Sequence, residues 1–143
     1  MKTRKSKRWL LGLAVLLLLT LACEPSGEPR LTEVWADADW SNTGYVVPDG
    51  KTVWIEYQSG EWSPWPGDRY DGLGAGGDPL VCNILPGASH AALIGRVGRE
   101  GQPFLVGNSF EQKVAEGGTL YLRINDTCQG DNSGSLIVRV KIR

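Results

Sequence analysis

Near its C-terminal end the chain gathers six oxygen-bearing side chains within nine residues: Asn125, Asp126, Thr127, Asp131, Asn132 and Ser133. Calcium takes roughly six to eight oxygen ligands, drawn from carboxylates, amides, main-chain carbonyls and water. Asp126, Asp131 and Asn132 are therefore candidate side-chain ligands for Ca2+, with a main-chain carbonyl of Thr127 or Cys128 to help complete the shell. The spacing is not that of an EF-hand. The competing reading is an ordinary turn, because Asn, Asp, Gly and Ser also form turns.

Other chemistry is sparse. His90 is the single histidine and follows Ser89, with no G-x-S-x-G elbow to pair with it. A lone histidine beside small residues reads as a surface or turn residue, since a general base needs a partnered site. The carboxylate pairs Asp68/Asp71 and Asp126/Asp131 have no spacing that favours glycoside hydrolysis. No enzyme is expected. Tryptophan is more suggestive. Trp62 and Trp65 lie in the stretch GEWSPWPGD, where exposed rings would stack on the apolar faces of sugars. The alternative is that they plug the end of the core. Trp54, inside an alternating stretch, is expected to pack against a sheet.

These residues need a scaffold, and the pattern around them is that of strands. Leu120, Leu122 and Ile124 alternate with Tyr121, Arg123 and Asn125. Leu136, Val138, Val140 and Ile142 alternate with Ser135, Ile137, Arg139 and Lys141. This period-2 pattern marks half-buried strands. The predicted strands are 31–36, 44–47, 52–58, 91–97, 103–106, 112–114, 119–125 and 135–142, with turn signals at 47–51 and 116–118. No amphipathic helical period with caps occurs. Residues 59–79 read as a long irregular loop, a length usually associated with function. The expected fold is all-β, a jelly-roll β-sandwich with one domain over 31–143.

The N-terminal residues read as an export signal. Lys2, Arg4, Lys5, Lys7 and Arg8 precede an apolar run that ends LTLAC. This resembles a bacterial lipoprotein signal over 1–22, with Cys23 lipidated and 23–30 a Pro/Gly linker. An ordinary cleaved signal or an uncleaved anchor are the alternatives. The lipoprotein reading implies attachment to the outer face of a membrane in the cell envelope. Removing the leader lowers Lys+Arg from 15 to 10 against 16 acids, a net charge of −6. Such a balance argues against a nucleic-acid partner. With Cys23 assigned to lipid, Cys82 and Cys128 remain, and an even pair in an exported protein suggests a disulfide. Two free thiols are the alternative. No zinc spacing is present.

The order GxW (60–62), ALIGRVG (92–98), FLVG (104–107), GGTLYLRIND (117–126) and DNSGSLIVRV (131–140) resembles the LecA-type galactophilic lectin family of calcium-dependent jelly rolls. The resemblance covers about 31–142 and implies a galactose-binding-like fold. It also implies a calcium held by Asp126, Asp131, Asn132 and the carbonyls of Cys128 and Trp65. Sugar hydroxyls would bind that calcium directly, with Asp126, Thr127 and Asp131 beside them and Trp62 or Trp65 as a stacking wall. The loop from Asp126 to Asp131 is about two residues shorter than in the galactose binders, and Asp131 stands where they have asparagine, adding charge that favours a cation. Their sugar-gripping histidine and glutamine have no counterpart in GDRYDGLGAGGDPL, and His90 lies elsewhere. The expected partner is therefore a galactose-like or another glycan, with Arg69, Tyr70, Asp71 and Asp78 of this stretch as candidates for different sugar contacts. The function expected is a calcium-dependent, carbohydrate-binding surface lipoprotein. The alternative is a structural or protein-interaction lipoprotein that kept the jelly roll without the sugar site.

Overall fold

The computed structural model describes residues 27–77 and 82–143. The export signal, Cys23 and the first part of the linker lie outside the described residues, as does Asp78. Among the described residues eight strands form: β1 Arg30–Trp35, β2 Ser41–Val47, β3 Thr52–Ser63, β4 Leu93–Val97, β5 Phe104–Leu105, β6 Ser109–Lys113, β7 Gly118–Ile124 and β8 Ser133–Ile142. They build two four-stranded antiparallel sheets in the orders β1-β8-β3-β6 and β2-β7-β4-β5. Strand 1 thus sits beside 8, 2 beside 7, 3 beside 6 and 4 beside 5. That is the order produced when one long antiparallel ribbon is rolled over on itself, the jelly roll.

The alternation predicted from sequence supplies the inner faces. Val34 of β1, Val53 and Ile55 of β3, Leu120, Leu122 and Ile124 of β7, and Leu136, Val138 and Val140 of β8 are all fully buried. The register matches inward side chains across strands, Val34 with Leu136 and Ile55 with Val140. Because the side-chain period is two, a slip of one residue would turn every one of these out to solvent.

β2 begins at Ser41 rather than 44 and β6 runs Ser109–Lys113 rather than 112–114; the departure on which the site depends is in β3. β3 does not stop at Gln58 but runs on to Ser63 against β8. The pairing shifts by one residue between Tyr57 and Ser59, a β-bulge. Before the bulge the inward positions are odd, Val53 and Ile55; after it the inward aromatic is at an even position, Trp62. A strict period-2 reading cannot cross such a bulge, so the second half of the strand looks like loop. Trp62 is consequently 0% exposed, and its indole Nε1 donates to the Ala91 carbonyl at 2.9 Å. It cannot be a stacking wall for a sugar. It fills the end of the core, the alternative reading of its position.

Gly134 faces Trp62 across the β3–β8 pair at φ +85°, and a Cβ there would lie 2.4 Å from the Glu61 carbonyl oxygen. Only glycine fits so close an approach. The two strands are thus drawn tightly together at the edge of the loop that carries Asp131 and Asn132.

Candidate functional site

The chain from Asn125 to Asn132 leaves β7 and enters β8, with a single 3-10 turn at Gln129–Asp131. Asn125, grouped by sequence with the oxygen ligands, serves another purpose. It is fully buried. Its Oδ1 accepts from the Ile84 and Leu85 N–H groups, each at 2.9 Å, and its Nδ2 donates to the carbonyls of Leu85 and Ser89. One amide thereby satisfies four main-chain groups, the full capacity expected of a buried asparagine. It fastens the 84–89 segment, and His90 with it, to the end of β7.

Asp126 is 1% exposed. Its Oδ1 accepts the Cys128 N–H at 2.7 Å and its main-chain carbonyl accepts from Arg123 Nη2 at 2.8 Å. Its Oδ2 has no hydrogen-bond partner. Asn132 is also buried; its Nδ2 donates to the Ala36 carbonyl at 3.2 Å, while its Oδ1 is without a partner. A buried polar atom left unpaired costs about 1–3 kcal/mol, more when charged. Two unpaired, electron-rich oxygens from residues that bracket one loop are what a hard cation would satisfy. Cys82, Asp126 and Cys128 bring possible ligand atoms within 4.8 Å of one another. The two sulfurs are bonded to each other, however, so the carboxylate is the only hard donor of the three.

Cys82 and Cys128 form a disulfide with a Cα–Cα distance of 5.6 Å. The neighbouring Thr127 donates both its N–H (2.7 Å) and its hydroxyl (3.1 Å) to the Cys82 carbonyl. The loop is thus tied to the 82–90 segment by a covalent bond and two hydrogen bonds. The bridge spans 46 residues, for which loop-closure entropy gives about 2–4 kcal/mol. The double variant Cys82→Ala/Cys128→Ala is expected to lose that much stability, read as a lower urea midpoint. An unchanged midpoint would show that the bridge contributes nothing.

A cleft of about 260 Å³ opens beside this loop, lined by Pro64, Trp65, Cys82, His90, Asp126, Cys128 and Asp131. Trp65 is half-buried, Asp131 and Thr127 are exposed, and all three stand where a ligand can reach them. The Trp65 ring stacks on the His90 ring at 5.3 Å and within 6° of parallel, and meets Tyr70 edge-on at 6.0 Å. Its Nε1 donates to Asp68 Oδ2 at 2.9 Å, and its carbonyl accepts the Ser63 hydroxyl. Paired main-chain bonds between Trp62 and Tyr70 close the intervening residues into a tight excursion, so the long predicted loop is anchored at this end.

His90, read from sequence as a surface or turn residue, does lie in a turn, but it is 4% exposed rather than at the surface, and it borders the cleft. Its Nδ1 faces Asn83 Oδ1 at 2.8 Å, and the Asn83 amide is oriented by donating to the Ala88 carbonyl. In the neutral ring Nδ1 is then the donor and Nε2 carries the lone pair. Nε2 lies 3.9 Å from Asp126 Oδ2, too far for a hydrogen bond. No spacing motif connects His90 to Asp126. The connection is made by Asn125, whose four bonds set where the 84–90 segment lies.

Arg123, expected on the outward face of β7, is likewise 5% exposed. It donates to the carbonyls of Ile124 and Asp126 and pairs with Asp39. Burial lowers its pKa from the usual arginine value, and the charges of Asp39 and Asp126 oppose that shift. Arg123 thus holds the Asp126 main chain in place from behind the site.

No protein-family model and no curated protein matches the chain. Among solved structures it is similar to a chain described as the EclA N-terminal domain, a PllA-like lectin. The likeness has a TM-score of 0.60 at 22% identity, over 79% of this chain and 95% of that one. At that identity it shows the fold alone: this protein shares the β-sandwich of that domain.

Proposed function

We propose that the protein is a non-catalytic, calcium-dependent carbohydrate-binding module of the LecA-type, displayed on the outer face of a bacterial membrane through a lipid on Cys23. The observation that most supports this is the pair of buried, unpartnered oxygens, Asp126 Oδ2 and Asn132 Oδ1, at the edge of the jelly roll. The fold it shares with a domain described as a lectin supports the sugar. Asp126, Asn132 and Asp131 would hold the ion, with the carbonyls of Cys128 and Trp65. Bound calcium supplies an electrophilic point for neighbouring sugar hydroxyls.

The rest of the recognition falls to the chain's own groups. Trp65, fixed in plane by the His90 stack, offers an aromatic surface, and the Cys82–Cys128 bridge adds an apolar wall. Asp126 and Asp131 accept hydrogen bonds from hydroxyls. Thr127 can only accept, because its own hydroxyl proton is committed to the Cys82 carbonyl. A preformed wall lowers the ordering cost of binding.

The test is a glycan array probed with and without calcium. Signals that vanish in EDTA and in Trp65→Ala are expected. A blank array, with calcium still raising the melting temperature, would overturn the sugar reading and leave a metal-stabilised interaction domain.

A further inference from the structure

On the outer face of the second sheet, sharing no lining residue with the cleft at the proposed calcium loop, lies a pocket of about 400 Å³ lined by Asp39, Trp40, Asn42, Arg96, Arg99, Glu100 and Tyr121. Strand register builds it: Asn42 of β2, Tyr121 of β7 and Arg96 of β4 stand in one row across three strands. The guanidinium of Arg96 lies over the Trp40 ring at 4.3 Å and near the Tyr121 ring at 5.4 Å. Its Nε is buried without a hydrogen-bond partner. Among the described residues neither Arg96 nor Arg99 has a carboxylate within ion-pair distance, because Asp39 is taken by Arg123. Arg123 also reaches the Trp40 ring, at 5.5 Å, with its own charge matched by Asp39.

Arg96 and Arg99 thus stand together in the pocket, with Asp39 matched to Arg123 and Glu100 as the other acidic group of the lining. A guanidinium stacked on aromatic rings is held flat, weakly hydrated and rigid. Its free edge then presents parallel N–H donors in the fork that fits a planar or tetrahedral oxyanion. Asn42 adds a further donor, since its Oδ1 already accepts the Gly44 N–H and leaves the amide NH2 as the available group. We propose that this pocket is a second ligand site, independent of calcium, for the oxyanion of an acidic sugar: a carboxylate, sulfate or phosphate carried on a saccharide ring. Arg96 takes the anion, Arg99 adds charge at the rim, and Asn42 and Tyr121 meet ring hydroxyls.

The experiment is a titration followed by two-dimensional 1H–15N NMR in EDTA, reading the Trp40 indole and Arg96 side-chain signals. The probes are glucuronate, glucose 6-sulfate and glucose 6-phosphate, with glucose as the neutral control. The anionic sugars are expected to shift these signals with a Kd of about 1 mM, and glucose is not. The strongest of the three identifies the anion. Arg96→Met should weaken binding about tenfold or more, and Arg96→Lys less, because charge remains but the fork is lost. Arg99→Gln, on an exposed turn, keeps the test valid should Arg96→Met fold poorly; it should weaken binding several-fold, by about one lost ionic contact. Equal shifts with glucose, no shift with any anion, or full binding by Arg96→Met or by Arg99→Gln with Arg96→Lys would overturn the proposal.

Discussion

Replacing Asp126 with Asn is expected to abolish the effect of calcium on thermal unfolding. In the wild-type chain, calcium at about a hundred times its Kd adds about 2.7 kcal/mol to stability. For a domain of this size that is a rise in Tm on the order of 10 °C. The substitution keeps side-chain volume and an oxygen to accept the Cys128 N–H, but removes the charge that a hard cation requires. In EDTA the order changes. The wild-type carboxylate is buried with Oδ2 unpartnered and 3.9 Å from a histidine nitrogen that lacks a donated proton in the neutral ring. The amide removes the buried charge, so Asp126→Asn unfolds no earlier than wild type when calcium is absent. Differential scanning calorimetry in the two conditions reads both effects. A calcium shift that survives in Asp126→Asn would place the ion elsewhere, and no shift in the wild type would end the calcium reading.

Trp62→Ala is expected to cost about 3–5 kcal/mol, the range for removing a fully buried large aromatic side chain. The void would open where β3, β8 and the 88–92 segment meet, and the Ala91 carbonyl would lose its indole donor. Trp65→Ala should behave oppositely. It loses the His90 and Tyr70 ring contacts, worth about 0.5–1.5 kcal/mol each, but removes the aromatic surface of the cleft. Urea unfolding with glycan binding on both variants separates the roles. Near-native stability of Trp62→Ala together with lost binding would restore Trp62 as a contact residue.

The contrast between these two tryptophans shows where sequence reading stops. Both sit in GEWSPWPGD, three residues apart, with the same local chemistry. The one-residue bulge at Tyr57/Ser59 sends Trp62 inward. Trp65 lies beyond the strand end, turned toward His90. Asn125 and Asp126 make a second such pair. Adjacent and equally polar, one spends all its valence on the main chain, while the other keeps a bare oxygen.

By itself the sequence determined the strand count, the inward apolar set and the loop that carries Asp126, Asp131 and Asn132. These follow from local alternation and turn chemistry, which need no knowledge of distant residues. Only the tertiary structure decided that His90 borders this loop, that Trp62 is core, that Arg123 is buried behind Asp126, and that Arg96 stands unpaired between Trp40 and Tyr121. Each of these rests on register across sheets or on one side chain binding residues roughly 30–85 positions away, and alternation within a strand carries no information about its neighbour.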